Sequence, residues 1–130
     1  MEEERYARGW KKLKQIDGEA GENVIESLKD IAPDLGKYTI EFPFGDIYSR
    51  PGLDLKSREI ATVAALTALG HALPQLKVHI NGALNVGCTR EEVIEIIIQM
   101  SVYAGFPASL NAMAIAKEVF EARERNRLKE

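Results

Sequence analysis

The sequence predicts an all-α helical bundle of six to seven helices in a single domain of 130 residues. Three observations carry this. Apolar residues recur at i, i+4 and i+7 along most of the chain, the spacing of one helix face. Gly and Pro punctuate these stretches at helical lengths. The segment Thr89-Arg90-Glu91-Glu92 has the form of a capping box, in which the Thr89 hydroxyl serves the Glu92 N–H and Glu92 reaches back.

Tyr6, Trp10 and Leu13 form the stripe of a first helix, ended by Asp17-Gly18. Asn23 is placed to cap a second helix with Glu26 three residues on, and Val24, Ile25, Leu28 and Ile31 supply its buried face until Pro33. Leu35, Tyr38 and Phe42 predict a short third helix before Pro43. The stretch 42–52 holds three aromatics and two prolines and reads as a structured loop or short helical turns. Asp54 is the expected N-cap of a helix to about Leu69, closed by Gly70. Pro74 fits the first turn of the next helix, which ends near Gly87. Cys88 and Val93 then flank the capping box at hydrophobic-staple positions. Ile96-Ile97-Ile98 alone would suit a strand, but the capping box and the length to Tyr103 favour a helix. Gly105 ends it. Pro107 opens a last helix in which Ala108, Ala112, Ala114 and Ala116 permit close packing.

Hydrophobic residues make up 45% of the chain and charged residues 28%, an ordinary soluble composition. The formal net charge of -3 and pI near 5.5 argue against a nucleic-acid partner, which needs a basic face. Arg123, Arg125, Arg127 and Lys129 alternate with Glu121, Glu124 and Glu130, the pattern of a solvated helix face. Cys88 is the lone cysteine, so there is no intrachain disulfide and no Cys-x-x-Cys motif, which suits a reducing cytoplasm. The amino terminus lacks the apolar core of a signal peptide, and the run from Ile60 to Gly70 is too short for a bilayer, which takes about 20 residues. A cytoplasmic protein with no membrane partner is expected. Several helices are apolar around much of their circumference, more than a chain of this size can cover, and this predicts an oligomer.

Two ionisable residues stand on these apolar stripes. Glu59 shares its face with Val63, Leu66 and Gly70, and His79 shares its face with Leu76, Ala83 and Val86. A carboxylate turned into a core must be paired, hydrogen-bonded or neutral. Glu59 therefore reads either as a functional group or as a first-turn glutamate stabilised by the helix dipole. His79 reads either as a proton-transfer group or as a core histidine bonded to a backbone carbonyl. Arg58 suits either a clamp on a substrate carboxylate or a surface salt bridge. His71 belongs to a loop, exposed or rimming the pocket. Tyr103 and Phe106, flanking Gly105, suit a pocket wall or simple packing. Glu95 and Gln99 share a face that would meet an interface or a polar cavity. Cys88 packs in the staple or, as a minor alternative, is a reactive thiol. Two histidines without ligand spacing give little support to a metal site.

Three blocks, GLDLKSREIATVAALTALG (52–70), LKVHINGALNVGCTREEVIE (76–95) and VYAGFPASLNAMAIAKEVF (102–120), resemble the carboxymuconolactone decarboxylase family within the alkyl-hydroperoxidase-D-like group. The resemblance implies an all-α, alkyl-hydroperoxidase-D-like bundle over 1–130, best matched at 52–120, forming homotrimers or homohexamers. It implies Glu59 and His79 as catalytic residues, corresponding to the group's glutamate and to the histidine of its L-K-x-H-I segment. The peroxidase branch also carries a Cys-x-x-Cys between these two. Here the stretch reads GHALPQLKVH (70–79) and holds no sulfur. Disulfide-relay peroxide reduction requires a thiolate and a resolving partner, so weight moves to the decarboxylase branch.

The expected function is cofactor-free decarboxylation of a small carboxylated lactone such as 4-carboxymuconolactone, with proton transfer by Glu59 and His79. Arg58, His71 and Tyr103 are the substrate-binding candidates, and no cofactor or metal is expected. The alternatives are a helical oligomer that binds a small ligand without turnover, and a thiol-dependent peroxide reductase relative in which Cys88 cycles with an external thiol.

Overall fold

A computed structural model describes residues 2–129, and Glu130 of the tail pattern lies outside them. The described residues form six α-helices and one π-helical segment, with no strand among them. The helices are α1 (Glu2–Glu26), α2 (Pro33–Thr39), α3 (Leu55–Leu69), α4 (Leu73–Asn85), α5 (Arg90–Ala104) and α6 (Phe106–Lys129). The π-helical segment, Ile40–Ile47, follows α2 directly. None of these helices is long and apolar enough to cross a membrane. The chain divides between Arg58 and Glu59 into two compact units.

In the amino-terminal unit, α1 packs on the π segment. Its buried face includes Gly9, Leu13, Ile16 and Asp17; of the Tyr6–Trp10–Leu13 stripe expected from hydrophobicity, Leu13 is buried, Trp10 half-buried and Tyr6 exposed. The reason is steric. A Cβ at Gly9 would stand 2.1 Å from the Ile40 carbonyl oxygen, so only glycine lets the π segment come this close. Arg5 grips Asp46 through its Nε and Nη2, and Arg8 donates to the Gly45 carbonyl at 2.7 Å. Gly18, with φ +56°, kinks α1 where Asp17-Gly18 was expected to end it.

The predicted second helix differs more. Asn23 lies inside α1, and residues 27–31 form turns, with Ile31 exposed, so there is no capped helix reaching Pro33. Pro33 instead occupies the first turn of α2. Leu35, Tyr38 and Phe42 are helical as expected but more than half exposed. Helical structure continues through Pro43, which has no N–H to donate and whose ring crowds the preceding turn. The widened π geometry accommodates it, and the Tyr48 N–H reaches the Pro43 carbonyl at 2.7 Å.

The carboxy-terminal unit follows the caps written in the sequence. The Asp54 carboxylate accepts from the Ser57 N–H at 2.7 Å and starts α3, and Gly70 closes it at φ +78°. Pro74 sits in the first turn of α4. That helix ends in a Schellman motif, with Cys88 N–H on the Ala83 carbonyl and Gly87 N–H on the Leu84 carbonyl. The capping box is complete: Glu92 N–H donates to Thr89 Oγ1 at 3.0 Å, and Thr89 N–H to Glu92 Oε1 at 2.8 Å. Cys88 and Val93, the staple pair, are both buried. Val63, Leu76, Ile80, Ala83, Val93, Ile97, Ala112, Ala116 and Val119 then form one core joining α3 to α6. Ser109 on α6 donates to the Ile97 carbonyl at 2.9 Å inside this core. On the tail, Arg127 pairs with Glu124, and Arg123 donates to Asn81 and Asn85, all in exposed positions.

Candidate active site

Glu59 and His79 reach the carboxy-terminal core because each stands on a helix face otherwise made for burial. On α3, Glu59, Val63 and Thr67 are buried in register at i, i+4 and i+8. On α4, Leu76, Ile80 and Ala83 form the buried face and His79 stands beside Ile80. The two side chains meet: His79 Nδ1 lies 2.9 Å from Glu59 Oε1. With Glu59 ionised, the ring's Nδ1–H donates to the carboxylate. Glu59 is wholly buried, while the His79 side chain keeps 17% of its surface exposed. One partner is therefore sealed in the core and the other has an edge toward the outside.

This geometry has chemical content. The carboxylate fixes the orientation of the imidazole and, by accepting at Nδ1, selects which nitrogen carries the proton. The other carboxylate oxygen, Oε2, is buried and has no hydrogen-bond partner among the described residues. An oxygen in that state is costly for folding alone. The Thr67 hydroxyl, two turns along the same face, is likewise buried without a hydrogen-bond partner.

The other sequence candidates are placed as follows. Arg58 donates from Nη2 to the Arg50 carbonyl at 3.0 Å within the amino-terminal unit. His71 is exposed in the turn after α3, and Tyr103 is 78% exposed at the end of α5. Phe106, Glu95 and Gln99 are exposed too. Among the described residues, no hydrogen bond or ring contact joins His71, Tyr103 or Phe106 to Glu59 or His79. Three open cavities on the described surface are lined by other residues. Thr67 went unread in the sequence because a threonine in an apolar run looks like an ordinary core residue. The signal was its place eight residues after Glu59 on one face. Two further buried carboxylates, Asp17 and Glu41, lie in the amino-terminal unit.

A carboxylate and an imidazole joined in a helical core can hold a proton at a defined atom. The chain belongs to the carboxymuconolactone decarboxylase family, which it matches over residues 33–118 and which has the alkyl-hydroperoxidase-D-like helical fold. It is 38% identical to a 4-carboxymuconolactone decarboxylase of Acinetobacter baylyi over 121 residues, 92% of this chain and 90% of that protein. It is 36% identical over 97 residues to an uncharacterised 15.0 kDa protein of Paracoccus denitrificans, covering 74% and 72% of the two chains. It is 29% identical over 114 residues to a nitrosuccinic acid decarboxylase of Metarhizium robertsii, covering 87% and 79%.

Proposed function

We propose that the protein is a decarboxylase acting on a small carboxylated lactone such as 4-carboxymuconolactone, with His79 as the proton donor and Glu59 as the group that orients it. The observation that carries this reading is the 2.9 Å contact between a fully buried carboxylate and a partly open imidazole. The relatives named for decarboxylation support it at the level of reaction class.

In such a lactone the departing carboxylate sits on the carbon γ to an unsaturated carbonyl. The C–C bond breaks, CO2 leaves, and the electron pair runs through the double bond onto the carbonyl oxygen. The electron sink is thus in the substrate itself. What the protein must supply is a dry site, stabilisation of the oxyanion, and a proton for carbon. With Nδ1–H held by Glu59, the proton for carbon would leave from Nε2 of the doubly protonated His79 ring, and the neutral Nδ1–H form would remain. Such help is worth about 10²–10⁴-fold in rate. Nitrosuccinic acid shares the same logic, because its nitro group can take up the electron pair left by CO2. The substrate class is therefore acids with a conjugated electron sink beside the leaving carboxylate.

Arg58, His71 and Tyr103 are assigned to substrate recognition. Their alanine variants should raise KM more than they lower kcat. The protein is further proposed to work as a homotrimer or homohexamer in the cytoplasm. Val102 and Tyr103 at the end of α5 and Phe106 and Leu110 at the start of α6 are each more than two-thirds exposed, a large apolar surface for one chain to leave open.

The deciding experiment is CO2 release from 4-carboxymuconolactone by the wild type and by His79→Ala. Release by the wild type and a fall of at least about 100-fold in the variant are expected. Wild-type protein that binds the lactone without releasing CO2 would instead favour a binding protein. The thiol-peroxidase alternative has little physical support, because Cys88 is buried in the staple and thiolate chemistry needs access. Peroxide consumption abolished by Cys88→Ser would reinstate it.

A further inference from the structure

The amino-terminal unit holds an open cavity of about 500 Å³ lined by Glu3, Tyr6, Pro33, Asp34, Lys37 and Glu41. Three carboxylates face one ammonium there, so its formal charge is negative. Glu41 is the unusual member. It is only 3% exposed, and its Oε2 is buried with no hydrogen-bond partner among the described residues. Lys37, one turn earlier, is the obvious candidate to neutralise it. Yet Lys37 is exposed and forms no ion pair within the described residues, and Lys preceding Glu by four is the weaker order for such a pair. A buried carboxylate without a donor at the wall of an acidic cavity calls for a cation from outside.

We propose that this cavity binds a small organic dication, an alkyl diamine, with one ammonium on Glu41 and the other on the outer carboxylates. A single metal ion fits the residues poorly, because the carboxylate oxygens of Glu3, Asp34 and Glu41 do not gather within 4.8 Å of one another. Separated carboxylates match separated ammonium groups. Tyr6 adds an aromatic wall, a favourable neighbour for an alkylammonium. This site is independent of the proposed decarboxylation, since none of its residues belongs to the Glu59–His79 pair.

The test is calorimetric titration of the full-length protein with 1,4-diaminobutane, n-butylamine and magnesium chloride at one fixed ionic strength, so that general screening cancels. Diaminobutane is expected to bind, with butylamine several-fold weaker and magnesium weaker still. Glu41→Gln should weaken diamine binding at least about ten-fold, the loss expected for one charged hydrogen bond. Lys37→Met should tighten it, because a competing like charge is gone. Circular dichroism checks that each variant is folded. Should Glu41→Gln fail to fold, Asp34→Asn at an exposed position is the second arm and should weaken binding about three-fold. The proposal is overturned by no diamine binding up to about 10 mM, by magnesium binding as tightly as the diamine, or by unaltered affinity in the folded carboxamide variants.

Discussion

Replacing Glu59 by Gln keeps the shape of the side chain and removes its charge. Two arrangements are open to the amide. With its oxygen on the Nδ1–H of His79, the NH2 takes the place of Oε2, which has no hydrogen-bond partner among the described residues. With its NH2 turned to the ring, the amide donates to Nδ1, and the imidazole must carry its proton on Nε2. The second arrangement gives one amide donor the Nδ1 acceptor, so the variant should flip the tautomer. An unmet buried group costs about 1–3 kcal/mol. Against this stands relief from burying a carboxylate, which is worth several kcal/mol. Stability should thus hold or rise. Activity should not: an amide donating to Nδ1 cannot coexist with a ring protonated on both nitrogens, so the acid form that gives up the Nε2 proton is lost. A fall of about 10²–10⁴ is expected here, equal to about 3–5 kcal/mol of lost transition-state stabilisation. The assays are initial rates on saturating 4-carboxymuconolactone, urea unfolding, and nitrogen NMR of the His79 ring to locate its proton. A kcat within about twofold of wild type after the proton has moved to Nε2 would refute the reasoning. A collapse of the urea midpoint would instead mark the pair as structural.

The remaining expectations concern the fold. Thr89→Ala removes the acceptor for the Glu92 N–H and should cost about 1 kcal/mol, a drop of roughly 3–5 °C in Tm, and an unchanged melt would contradict the cap's role. Gly9→Ala drives a Cβ into the Ile40 carbonyl oxygen, and because backbone cannot swing aside like a side chain, urea unfolding should show a loss of about 1–3 kcal/mol or more. The hydrogen bond from Arg5 holds the Asp46 carboxyl below the ordinary range, and the Ser57 backbone N–H does the same for Asp54. Carboxyls with a depressed folded pKa stabilise above their unfolded value, near about 3.9, and lose that contribution as pH falls through the folded one. The urea midpoint should therefore drop on acidification below that range, and less steeply in Asp46→Asn. Val102→Asp together with Phe106→Asp should convert the proposed oligomer to monomers by light scattering; a monomeric wild type would remove the premise.

The carboxy-terminal helices were legible because their limits are set by chemistry within a few residues. Asp54, Gly70, Thr89, Glu92 and Gly105 act on their own neighbours, and no distant contact is needed to read them. The amino-terminal unit was not legible in the same way. Its packing turns on Gly9, a residue with no hydrophobic signal, which matters only because Ile40 comes to rest against it from 31 positions away. Hydrophobic periodicity chose Tyr6 and Trp10 instead. The π segment was hidden for a similar reason, since Pro43 ordinarily reports the end of a helix, and the turn that absorbs it is stabilised by contact with α1.

The pair at the site was visible for a different reason: it breaks the local pattern. A core position on α3 that needed only to fold would be better served by Leu or Met, which fill the space without a charge to desolvate. Val63 occupies the next turn of the same face and does that work. Glu59 is there with one oxygen on an imidazole and the other buried without a hydrogen-bond partner among the described residues. Burial alone gives no reason for that choice, whereas the proposed acid role at His79 does, because a fixed acceptor at Nδ1 would keep a proton on that nitrogen. What the pattern could not reveal is the substrate. That depends on the shape of the surroundings, and Tyr103, assigned above to substrate recognition, is 78% exposed in the single chain. Substrate choice in this family should therefore respond to substitutions at the exposed ends of α5 and α6, while the ability to decarboxylate at all should respond to Glu59 and His79.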